Sequence, residues 1–71
     1  MNRLDLHGVK HKDVASSVDM FIRHNKDSLP VEIITGNSVD MQLIVRKVIN
    51  NHNLIYEYST HVNLGSLIIK E

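Results

Sequence analysis

Apolar and polar residues alternate along this chain with two different periods. Leu4 and Leu6 lie on one side of the first run and Asp5 on the other; His7 continues the polar set and Gly8 closes it. A period of two predicts a β-strand over Arg3–Leu6. The next segment, KHKDVASSVDMFIRHNKD, places Val14, Val18, Phe21 and Ile22 at the i, i+4, i+7, i+8 spacing of one helical face. Pro30 ends the connection that follows. VEIIT is a β-branched run of strand length that stops at Gly36. Asn37 or Ser38 can then cap a second helix, in which Met41, Ile44, Val45, Val48 and Ile49 share a face, and Asn50 and Asn51 suit its end. LIYEYS alternates and predicts a third strand, HVNLG a turn, and GSLIIK a fourth strand.

The predicted order is β-α-β-α-β-β. Crossover connections through helices make the first three strands parallel, and the short final turn makes the last two antiparallel. Glu32, Glu57 and Lys70 interrupt the strands, as Asp5 and His7 do, so one face of the sheet meets water. Both helices then cover the other face. The expected fold is a single-domain, two-layer α/β sandwich with a four-stranded mixed sheet. Met20, Met41 and Phe21 are expected in its core. Tyr56 and Tyr58 share a strand face with Leu54 and are expected either in the core or as a stacking surface for bases.

Composition narrows the chemistry. Eight basic residues balance eight acidic ones, so no global field attracts nucleic acid, and any anion site must come from local clustering or backbone amides. With no cysteine in 71 residues there is no disulfide and no thiolate metal site. No signal-peptide core or membrane-length apolar run occurs, which predicts a cytoplasmic protein with no membrane partner. The five histidines lack the spacing of a dedicated zinc site. A divalent cation such as magnesium remains compatible with Asp5, since that ion often takes one carboxylate plus phosphate oxygens.

Two features carry candidate chemistry. Asp5 and His7, two apart on a strand, would share its open face, where a carboxylate can orient an imidazole for proton transfer. The same pair can equally be a structural closure of the strand. TGNS, Thr35–Ser38, joins a strand to a helix, where free amides can hold an anion and Gly36 lets it approach; an ordinary capped loop has the same residues. If the first two strands are parallel neighbours, Gly8 and Gly36 end at one sheet edge, where open α/β sheets bind ligands. Lys10 and Lys12 follow the first glycine. Arg46 can join the site if its helix face allows it, whereas Lys47 is expected on a solvated face.

The run LDLHGVKHKDVASSVDMFI, then VEIITGNS, then NLGSLIIKE resembles the Smr (small MutS-related) domain family over nearly the whole chain. The resemblance implies the same two-layer fold, similar to the C-terminal domain of bacterial initiation factor three, and a nucleic-acid-binding module that often nicks DNA or cleaves RNA. It implies Asp5 and His7 as catalytic residues, with Gly8, Thr35 and Gly36 in cleavage and binding. Lys10, Asn37, Ser38 and Arg46 complete the expected binding set, and the amides of Gly36, Asn37 and Ser38 are expected to face a phosphate. Ser38 stands where the family has a second loop glycine, which makes the approach of phosphate to the backbone less close. A non-catalytic module that binds nucleic acid or a protein is the alternative.

Overall fold

The computed structural model describes residues 1–60 and 64–71. Its elements are β1 (Arg3–Asp5), α1 (His11–His24), a 3-10 turn (Lys26–Ser28), β2 (Val31–Ile34), α2 (Val39–Asn51), β3 (Ile55–Tyr58) and β4 (Ser66–Lys70). The predicted order is therefore present. Of the expected HVNLG turn, residues 61–63 lie outside the described residues, and Leu64 and Gly65 form a turn that enters β4.

The four strands make one mixed sheet in the order β1-β2-β4-β3. β1 and β2 are parallel, with Asp5 beside Ile34, and β4 runs antiparallel to both β2 and β3. The first three strands therefore point the same way, as expected, but β2 and β3 are not neighbours, because β4 lies between them. Val31, Ile33, Leu67 and Ile69 face the helices and are fully buried, as is Leu6 just past β1. α1 meets them with Val14, Val18 and Ile22, and α2 with Met41, Val45, Val48 and Ile49. Phe21, Tyr56 and Tyr58 pack against this core from its margin. Tyr56 and Tyr58 meet edge to face with centroids 6.2 Å apart, the arrangement that aromatic quadrupoles favour.

Met20 is a correction. It was expected in the core and is 59% exposed. Two residues beyond Val18, it lies about 200° around the helix from that buried position.

The opposite sheet face carries Arg3, Glu32, Ile68 and Glu57 in one cross-strand row. Arg3 pairs with Glu32 at 3.4 Å, the Ser66 hydroxyl also donates to Glu32, and Lys70 pairs with Glu57 at 3.1 Å. Glutamates on this wet face are therefore balanced locally.

The helices are also joined by a side-chain hydrogen bond. His52, at the C-cap of α2 and with its side chain 8% exposed, meets Asp19 of α1 at 2.7 Å, and Arg23 meets the other oxygen of Asp19 at 2.8 Å. The hydrogen bond from Arg23, and after it the one from His52, holds the Asp19 carboxyl below its ordinary value of 3.8. A carboxyl lowered in the folded state contributes stability above its unfolded value and loses that contribution as pH falls through the folded one. The difference in urea midpoint between wild type and Asp19→Asn is accordingly expected to hold steady from about pH 7 to about pH 5 and to shrink in stronger acid. A difference that stays constant into strong acid would show that the Asp19 carboxylate contributes nothing.

Candidate functional site

The site edge is built from the two strand–glycine–helix junctions of the parallel pair. β1 stops at Asp5 because the chain turns there. The Leu6 N–H still donates to Ile34 O at 2.9 Å, the Asp5 carboxylate then accepts the His7 N–H at 2.9 Å, and the Val9 N–H closes the turn onto Leu6 O at 3.0 Å. Gly8 sits in this turn at φ +81°, where a side chain is strained, and Lys10 leads into α1.

This geometry corrects the expected relation between Asp5 and His7. They do not lie two apart on one strand face, since His7 belongs to the turn and Asp5 holds its backbone amide. Aspartate commonly bonds the amide two residues ahead in this way, and the bond directs the chain out of the sheet. Both side chains are exposed at the edge. Lys10 adds no side-chain cap to α1, and Lys10, His11 and Lys12 are all exposed beside Gly8.

The second junction is more tightly held. Thr35 is buried, and its N–H donates to Gly65 O at 2.8 Å. Gly36, at φ +66°, donates its own N–H to the same carbonyl at 3.0 Å. Gly65 O is therefore filled by two amides. The Thr35 hydroxyl, 2.8 Å from Gly36 O and 3.2 Å from Gly65 O, has its better acceptor in Gly36. Ser38 caps α2, its hydroxyl accepting the Met41 N–H at 3.2 Å. Of the two cap candidates the chain uses Ser38, and Asn37 is left exposed at the tip.

These bonds correct the expected donor set, because the Gly36 amide is already committed to Gly65 O and cannot also face a phosphate. Arg46 is a second correction. Its guanidinium lies 3.4 Å from the Tyr56 hydroxyl, about two turns along α2 from the loop, and that hydrogen bond raises its pKa further. Arg46 is thus directed to β3, at the far edge of the sheet from β1. Lys47 is exposed, as expected.

Two residues outside the expected site set complete the junction. Gly65 packs so closely on Gly36 that a Cβ there would lie 2.9 Å from the Gly36 carbonyl carbon. Gln42, in the first turns of α2, donates to Gly36 O at 3.1 Å and to Leu64 O at 2.7 Å, and its own oxygen faces the Tyr58 hydroxyl at 3.4 Å. A cleft of about 620 Å³ opens on this side, lined by Glu57, Tyr58, Ser59, Thr60 and Leu64.

Among the described residues no three histidine, aspartate or glutamate side chains gather as a metal site. A cation at Asp5 would have a single protein carboxylate and would depend on oxygens of its ligand. No described helix is long and apolar enough to cross a membrane. Comparison with models of known protein families, with curated proteins and with solved structures finds no match for this chain.

Proposed function

We propose that this domain is a nucleic-acid-binding module of the Smr type that hydrolyses phosphodiester bonds in DNA or RNA at the edge formed by its two glycine junctions. The observation that carries the reading is the convergence of those junctions. Gly8 and Gly36, both left-handed, follow adjacent parallel strands, and each lies in the turn that leads into a helix N-terminus. Asp5 and His7 stand exposed at that edge, as do Lys10 and Lys12. In hydrolysis His7 would take a proton from the attacking water. The water oxygen then bonds to phosphorus as the bond to the ester oxygen breaks, the leaving oxygen takes a proton from solvent, and the amides past Gly36 stabilise the charge that develops. Asp5 acts by fixing the His7 backbone, and its carboxylate would be the protein ligand of a divalent ion that offsets phosphate charge.

One observation favours the non-catalytic alternative. The Asp5 carboxylate bonds the His7 amide, so it does not orient the imidazole as a catalytic pair would.

Supercoiled plasmid and a structured RNA, each incubated with wild type and His7→Ala, separate the two readings. Cleavage by wild type that falls at least a hundredfold in His7→Ala is expected for a general base. Equal cleavage by the two proteins would overturn the role of His7, and retention of nucleic acid with no cleavage by either protein would establish the binding-only module.

A further inference from the structure

We infer that β3 is a docking edge for a second copy of this chain, whose own β3 pairs with it antiparallel about a twofold axis at Glu57 and joins the two sheets into one.

The sheet has two free edges, β1 and β3, and they are guarded differently. β1 has three residues, two of them the exposed charges Arg3 and Asp5, and the chain leaves the sheet directly after it. Short length and charged side chains are devices that keep an edge from pairing. β3 reads IYEY and carries one charge, Glu57, whose carboxylate is already taken by Lys70 at 3.1 Å. Ile55 on the same face is 54% exposed.

The outward groups of β3 follow from its pairing with β4. The Ser59 N–H donates to Ser66 O at 3.0 Å. Hydrogen-bonded pairs alternate along an antiparallel ladder, so Glu57 and Ile55 also turn their N–H and C=O toward β4. Tyr56 and Tyr58 therefore turn theirs away from it, and among the described residues no backbone group meets them. Such a row is a template for another strand.

This edge is self-complementary in one register. A twofold axis normal to the sheet sets two copies of β3 antiparallel. With Tyr56 opposite Tyr58 of the second copy, the N–H and C=O groups of all these tyrosines pair with one another. Moving the second strand by two residues leaves one tyrosine of each copy facing Thr60, beyond the strand, or Leu54, whose N–H is held by Ile49 O at 3.2 Å. In the favoured register the axis passes between the two Glu57 residues. Each brings its own Lys70, so the carboxylates and ammoniums meet there with no net charge. Ile55 of each copy stands opposite Ser59 of the other, at the cleft where Leu64, 49% exposed, offers an apolar wall. A chain with equal numbers of acidic and basic residues does not repel its copy. The strand is four residues long, so the contact belongs to the small, reversible class that covers about 600 Å² or less of each partner. The glycine junctions follow β1 and β2, on the other half of the sheet, and stay open in the dimer.

Sedimentation equilibrium of the full chain from about 1 μM to about 1 mM is expected to show a reversible monomer–dimer equilibrium. Ile55→Lys sets a cation at the contact, the ordinary guard of a free edge, and is expected to weaken the dimer at least tenfold. Met20→Lys, at a similarly exposed apolar position on α1, should leave it unchanged. The register has a separate test that uses a trace of fluorescently labelled wild type, titrated with unlabelled wild type or with Glu57→Lys. The lysine variant is expected to bind the labelled chain about threefold more tightly than wild type does, because it sets a cation opposite the Glu57 carboxylate. Wild type that stays monomeric to about 1 mM overturns the inference, and so does growth beyond the dimer, which would join unlike edges. A dimer that Ile55→Lys leaves intact, or that Glu57→Lys joins no more tightly than wild type does, overturns the β3 contact. A monomer that still binds or cleaves nucleic acid overturns the interface and leaves the proposed function standing.

Discussion

Ile33→Ala is expected to bring the domain to the margin of unfolding at room temperature. Ile33 is fully buried near the middle of β2, between Leu4 on β1 and Leu67 on β4. Removing its branched side chain forfeits transfer energy and leaves a cavity under two helices, a loss of about 2–5 kcal/mol. A chain of 71 residues has roughly 4–11 kcal/mol in all, and short chains tend to the lower part of that range. The neighbouring Ile34 points to the wet face and is half-buried, so Ile34→Ala should lose much less. Urea unfolding of the two variants compares the faces directly. Similar midpoints for both would mean that the helices do not cover the Ile33 side.

Gly65→Ala is expected to damage both the fold and the site. Its Cβ would lie 2.9 Å from the Gly36 carbonyl carbon and 3.0 Å from the Gly36 Cα and oxygen. These are backbone atoms, held by the Thr35 and Gln42 hydrogen bonds, so no flexible side chain can yield. Forcing the two segments apart should lose about 1–3 kcal/mol and lower the melting temperature by about 4–8 °C for each kcal/mol. It also stretches the pair of amides on Gly65 O, so oligonucleotide binding should fall with stability. Gly8→Ala is the informative contrast. Its Cβ would meet nothing within 4 Å, and only the left-handed backbone penalty applies, about 1–2 kcal/mol. A Gly65→Ala protein that melts like wild type, with unmoved Thr35 and Gly36 amide resonances, would disprove the close packing.

The elements of this fold are legible in the sequence because each buries a single stripe or face. Val14, Val18 and Ile22 recur at helical spacing, and Val31 and Ile33 alternate with Glu32 and Ile34, so period and burial agree. The position of β4 between β2 and β3 was not legible, since alternation describes a strand's faces and not its neighbours. At the site, the two glycines were readable as turns, and both adopt positive φ. The use of each amide was not. Asp5 in a strand pattern suggests a side chain facing a partner, yet its carboxylate bonds the His7 backbone two residues ahead. Arg46 looked available from charge alone, and a tyrosine ten residues later takes it. Gln42 carried no signal of its own and Gly65 only that of a glycine before the last strand, because their roles at the site depend on contacts across 6 to 30 positions of chain.

The strand order also governs how the molecule can assemble. β3 has one neighbour in the sheet, β4, and β4 follows it in the chain. Until Ser66–Lys70 is in place, β1 and β2 form a two-stranded ribbon, and β3 has no backbone partner in the sheet. A parallel two-stranded ribbon is not stable on its own. β4 is thus the strand that joins the β1–β2 pair to β3, and its insertion closes both halves of the sheet at once. Early segments gain little before that moment, so folding should be a single concerted event whose rate is set by the long loop from β2 to β4.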